Sequence, residues 1–408
     1  MACPWREGAR RTRKSWSDYC EGEVTVEGRR TTGVAAGPPP AADASRGLWL
    51  ADPYSDWPAR YPGRRAVGYF CSYAPLEILH AAGLTPLRLF PVEGTVAQAD
   101  AVLPPFSCAL ARSTTERLLL GELSFVEAVL FVHTCDTMQC LADIWRMAGT
   151  DLKVINFPLP AVLSARGARE LVQAGQRELL RALEDELGRH VTDESLRASV
   201  ALYNEQRRLL SELYAWRDRL PALRLWQLSM AGFVMPVEDH ISLLQQSLSV
   251  AAGADGESRR GPRLAIVGTV LHEGSILDLI EELGGQVVAD DLCTGERYLQ
   301  SSVELHEDGD PQTALVERTL ARPVCPAKRH ADRDAPERLV RLARSRGAQG
   351  VVFVLPRYCD PCGFDSVLQR RALDTEGIPH LTVETELTQP TGQLRTRLQA
   401  FLELLSPG

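Results

Sequence analysis

The chain has no apolar run near the roughly 20 residues that a membrane-spanning helix needs. It also lacks an excess of positive charge. Its 45 Lys and Arg are outnumbered by 53 Asp and Glu, giving a formal net charge of −8, so a general nucleic-acid binder is not expected. No GxxxxGK followed by Ser or Thr occurs, which removes that mode of ATP binding. The strand-like RLAIVGTV is not followed by G-x-G-x-x-G, so the dinucleotide fingerprint is missing too. The opening MACPWREGARRTRKSW is basic but has no apolar core of a secretory signal. That leads to a cytoplasmic reading, with an organellar presequence as the alternative. The TTGVAAGPPPAADASRG that follows has the composition of disorder, and residues 1–46 read as a disordered extension.

What is present is a soluble-protein composition over 408 residues, 45% hydrophobic and 24% charged, enough for two or three domains. From Arg65 onward, short apolar runs alternate with helical patterns: RAVGYF, PLRLF, AVLFVHT and LKVINFPLP read as strands. Residues 161–255 change character, rich in Leu, Ala, Arg, Glu and Gln. There Leu196, Val200, Tyr203, Leu210 and Tyr214 fall on one helical face, with Thr192 or Asp193 as cap. The alternation resumes in PRLAIVGTV, QVVADD, AQGVVFVLP and PHLTVETEL. Apolar strands alternating with helices imply parallel sheets covered on both faces. The expectation is an α/β fold of two Rossmann-like (flavodoxin-like) lobes, residues 47–160 and 256–408, with a helical segment between them.

Ten cysteines occur, too many to pass over in a chain read as cytoplasmic, where disulfides are rare. Cys3 and Cys20 lie in the extension. Cys71 follows RAVGYF, Cys135 follows AVLFVHT, Cys293 follows QVVAD, and Cys359 follows VVFVLPRY. Four thiols therefore stand at the carboxyl ends of expected parallel strands, the edge where open α/β sheets bind ligands. Cys108 and Cys325 lie in turn-like stretches. Burial alone would scatter cysteines over strands and helix faces, so this placement favours ligation. The lone CxxC, Cys359–Cys362, has no partner pair of the zinc kind, and a redox dithiol there is the weaker option, since no thioredoxin-like context surrounds it. Thiolates dispersed one per loop suit an iron–sulfur cluster. Cys140 reads as helix packing.

These stretches resemble the 2-hydroxyacyl-CoA dehydratase and benzoyl-CoA reductase subunits. The similarity runs through GYFCSYAPLEILHAAGLTPLRL, FSCALARS, FVHTCDTMQCLADIWR, VVADDLCTGERY, RPVCPAKRH, YCDPCGFD and GIPHLTVETELTQPTGQLRTRLQAFLELL, from Gly68 to Leu405. The resemblance implies an acyl-CoA substrate, a 4Fe–4S cluster and a related subunit or second copy in a dimer. It further implies single electrons from a separate ATP-hydrolysing iron–sulfur activator, which would drive ketyl radical chemistry in an anaerobic enzyme. By motif, Cys71, Cys108 and Cys359 would hold one cubane. A branch of the family binds two linked cubanes per subunit and reduces small molecules. In that case Cys135, Cys293 and Cys325 would serve a second cubane; otherwise Cys135 merely lines the pocket.

Ser72, His133 and Asp136 flank these thiols and are the weaker candidates for catalytic contact with substrate or sulfur. Each also has a bland reading as turn chemistry. Arg297 either pairs an anion or is a solvated arginine. Two departures from the family pattern stand out. The histidine of RPVCPAKRH is shifted by one, so His330 receives no role, and Cys362 is either incidental or an extra ligand.

Overall fold

The computed structural model describes residues 52–92, 94–252, 261–271, 274–332, 335–386 and 392–406. The expected extension 1–46 lies outside them. Two four-stranded sheets, all parallel, form the α/β framework. The first contains β1 (Ala66–Tyr69), β2 (Thr85–Arg88), β3 (Val126–Val132) and β4 (Lys153–Phe157), in the order β2-β1-β3-β4. The second contains β5 (Arg263–Gly268), β6 (Gln286–Asp291), β7 (Gly350–Pro356) and β8 (His380–Thr385), in the equivalent order β6-β5-β7-β8. Each lobe thus has a switch point, between β1 and β3 and between β5 and β7, where successive connections leave in opposite directions.

The strands form because short runs of Val, Ile, Leu and Phe are buried on both faces. In β3, VEAVLFV, every residue but Glu127 is buried. At the second switch point the two strands approach closely. A Cβ on Gly268 would stand 2.6 Å from the carbonyl oxygen of Val354, which is why glycine ends β5.

Four helices fill the stretch between the sheets: Ala168–Leu187, Asp193–Tyr214, Ala222–Ala231 and Val237–Ala252. Thr192 caps the second. Its side chain accepts from the Ser195 amide at 3.1 Å, and the Ser195 hydroxyl oxygen accepts from the Thr192 amide at 3.1 Å. The stripe Leu196, Val200, Tyr203, Leu210 and Tyr214 is buried, as its spacing predicts. One buried apolar cluster runs through both lobes and these helices, and a smaller one covers the outer face of the second sheet. Helices Pro311–Ala321 and Ala335–Ser345 were not foreseen from the sequence. No helix among the described residues is long and apolar enough to cross a membrane.

Candidate functional site

The carboxyl ends of both sheets open onto one cavity of about 130 Å³. Cys71, Cys108, Cys135, Cys293, Cys325 and Cys359 all line it, together with Arg88, Arg297 and Arg322. By their settings the six thiols fall into two groups: Cys108, Cys135 and Cys359 start helices, whereas Cys71, Cys293 and Cys325 lie in or beside turns. Cys71 is influenced by Cys293, and Cys325 by both Cys71 and Cys293. Cys108 is influenced by Cys359, and Cys135 by both Cys108 and Cys359. We call Cys71, Cys293 and Cys325 the inner trio, and Cys108, Cys135 and Cys359 the outer trio.

Each trio is built in its own way. All three outer cysteines are helix N-caps: Cys108 of Ala109–Leu119, Cys135 of Asp136–Met147 and Cys359 of Asp360–Thr375. Three helix N-termini therefore converge there, each carrying about half a positive charge in its unpaired amides. Tyr358, just before Cys359, has φ 61, in the left-handed region that bulky residues avoid. It is the one such non-glycine among the described residues, and local strain of this sort gathers at functional sites.

The inner trio lies in tight turns among buried guanidinium groups. Arg88 ends β2 and is 1% exposed. Its Nη2 donates to Cys293 Sγ at 3.2 Å, its Nη1 to Ser72 Oγ at 2.7 Å, and its Nε to the Phe70 carbonyl at 3.1 Å. Ser72 Oγ in turn donates to the Cys293 carbonyl at 2.5 Å. Arg322 donates to the Ser72 carbonyl and lies 4.6 Å from the Tyr73 ring centre. Arg297 is buried rather than solvated. Its Nε pairs with Asp291 at 2.6 Å, and Arg338 also pairs with Asp291 at 2.6 Å.

Burial pushes the Cys71 and Cys108 thiols up. It also takes Cys135 and Cys325 up to about 11, with the neighbouring thiols adding to the rise. For Cys359 the largest upward influence is the thiol of Cys362, followed by burial. In the metal-free chain these groups are neutral at pH 7, so ligation must displace protons.

Among the weaker candidates, Ser72 lines the cavity, while His133 and Asp136 are not among its lining residues. Asp136 is exposed at the start of its helix, and the His133 carbonyl accepts from Lys328 Nζ at 3.0 Å. Cys362 is buried behind Cys359 and is not among the lining residues, whereas Cys140 is exposed and not packed. Arg88 and Arg322 were missed. The signal for Arg88 was a charged residue inside the apolar run PLRLF, and for Arg322 its place three residues before Cys325.

The donor set fits an iron–sulfur group. Six soft thiol donors face one space. Among the described residues no three His, Cys, Asp or Glu groups form a single-ion site. The buried Arg297 Nη1 has no hydrogen-bond partner among the described residues, leaving a cationic donor at the cavity wall.

Residues 71–405 match the family described as 2-hydroxyglutaryl-CoA dehydratase, D-component. A benzoyl-CoA reductase subunit from Thauera aromatica is 29% identical over 83% of this chain and 89% of that protein. The beta subunit of lactoyl-CoA dehydratase from Anaerotignum propionicum is 27% identical over 84% of this chain and 92% of its own length. The beta subunit of (R)-phenyllactyl-CoA dehydratase from Clostridium sporogenes is 23% identical, with the same coverages of 84% and 92%.

Proposed function

The chain belongs to the 2-hydroxyglutaryl-CoA dehydratase D-component family, and on that premise we propose that it is the iron–sulfur subunit of an enzyme performing one-electron dehydration or reduction of an acyl-CoA thioester. The observation that carries this reading is the convergence of six loop cysteines, in two trios, on one cavity. The inner trio would hold one 4Fe–4S cubane and the outer trio a second, in place of the single set Cys71, Cys108 and Cys359. Bound there, such clusters supply single electrons at low potential and an iron able to act as Lewis acid. The protein's share is positioning and electrostatics. Three helix N-termini and three arginines offset the negative charge that thiolates and sulfides bring. Ser72 is held by Arg88 and the Cys293 carbonyl, so it stands at the wall with a fixed orientation.

The named relatives are subunits of acyl-CoA enzymes, which supports the thioester as substrate. It also supports a partner subunit, either related or a second copy; an external ATP-dependent iron–sulfur activator as electron donor rests on the family resemblance alone. A second reading, reduction of small molecules at a double-cubane cluster, is favoured by the number of thiols, since one cubane needs no more than three or four.

The test is turnover by anaerobically prepared protein with dithionite, ATP and an activator of this family. A panel of 2-hydroxyacyl-CoA and aryl-CoA thioesters is read by mass spectrometry, with azide and hydrazine in parallel. Loss of water from, or reduction of, a thioester is expected. Reduction of only the small molecules would transfer the chain to the second reading.

A further inference from the structure

The two trios are held by different charges. Arg88, Arg297 and Arg322 surround the inner one, and Arg88 Nη2 touches Cys293 Sγ at 3.2 Å. Asp291 offsets part of Arg297. The outer trio faces three helix ends worth about half a charge each. Two of its members are followed at once by carboxylates, Asp136 and Asp360. Full buried guanidinium charges outweigh fractional amide ones, because screening is weakest in the interior.

The outer trio meets the surface through Cys359. Cys359 lines both the cavity and an open groove formed by Tyr358, Asp360, Phe364 and Val367. Phe364 is 74% exposed. A cluster's reduction potential follows its net charge, the hydrogen bonds to its sulfurs and its exposure to solvent. Each reduction adds one negative charge, which nearby cations stabilise.

Building on the two-cluster reading, we propose that Arg88, Arg297 and Arg322 raise the reduction potential of an iron–sulfur group at the inner trio above that of one at the outer trio. An electron accepted on the Cys359 side then has a downhill path inward.

Two double variants leave one trio intact each. Cys71→Ser with Cys325→Ser keeps the outer trio, and Cys108→Ser with Cys135→Ser keeps the inner. Both are reconstituted anaerobically and titrated with dithionite, the electron source, under EPR. The inner-only protein should show the higher midpoint, by tenfold or more in the reduced-to-oxidised ratio, about 59 mV for one electron. Adding Arg88→Met should lower the inner-only midpoint and leave the outer-only one in place, while Arg88→Lys should recover part of the loss. If Arg88→Met does not fold, the comparison of the two cysteine variants still decides the matter. Equal midpoints, or a higher outer one, with about four irons bound in each protein, would overturn the proposal alone. Failure of both variants to hold about four irons would overturn the two-cluster reading and the proposal with it.

Discussion

Arg88 of the first lobe donates a hydrogen bond to the sulfur of Cys293 in the second, across 3.2 Å. Ser72 Oγ reinforces the same junction by donating to the Cys293 carbonyl at 2.5 Å. The loop after β6 is thereby tied to the loop after β1, so one arginine serves both as a joint between lobes and as part of the cavity wall.

This gives Arg88 a structural weight that a surface arginine does not have. In the metal-free chain, Arg88→Met leaves the Phe70 carbonyl and Ser72 without their donor, at a cost of about 2–4 kcal/mol. Arg65→Met, which breaks a half-exposed pair with Glu127, should cost under about 1 kcal/mol. Urea titration of the two variants measures the contrast, and equal losses would contradict the role given to Arg88.

Glu296 predicts a pH dependence. Burial, reinforced by Asp290, pushes its carboxyl up to about 7 from an ordinary value of 4.5. The folded state then binds the proton more tightly than the unfolded state. Its contribution is fully present below about pH 4.5 and declines as pH rises through about 7, by at most about 1.4 kcal/mol per pH unit. Glu296→Gln should remove this slope. Denaturation of both proteins from pH 5 to 8 reads the difference, and parallel stability curves would rule it out.

Gly268 should not tolerate a side chain. A Cβ there meets the Val354 carbonyl oxygen, which belongs to the partner strand and cannot swing away. Gly268→Ala is expected to cost about 1–3 kcal/mol and to displace the turn toward Thr269 at the cavity wall. Thermal unfolding checks the first effect, and a wild-type melting temperature would contradict it.

Thiol reactivity offers a check that needs no cluster. In a protein whose Cys3 and Cys20 are replaced by Ser, Cys140 is the one exposed cysteine among the described residues. One thiol should react with a maleimide at the rate of a free thiol, and the other seven slowly. Adding Cys140→Ala should abolish the fast phase and leave any cluster spectrum unchanged.

The alternating apolar runs and the Leu-rich middle made the two parallel lobes legible, because burial on both faces leaves a direct mark on composition. The strand-end thiols were legible for the same reason. The starts of the outer-trio helices were not. Cys108 and Cys359 precede helices that begin several residues earlier than periodicity alone suggests. Cysteine is not among the residues that announce an N-cap, so nothing in CDPC marks Cys359 as the start of a helix. The proposed pairing of thiols was hidden as well. Which loops meet depends on how two lobes face each other, and no local pattern records that.

The central claim is the division into Cys71, Cys293, Cys325 and Cys108, Cys135, Cys359. Iron analysis of two double variants tests it most directly. Cys71→Ser with Cys325→Ser damages one trio and should retain about four irons per chain of the roughly eight that two cubanes hold. Cys71→Ser with Cys108→Ser damages both and should retain close to none. The opposite pattern, about four irons in the second variant and none in the first, would restore the set Cys71, Cys108 and Cys359 and contradict the account.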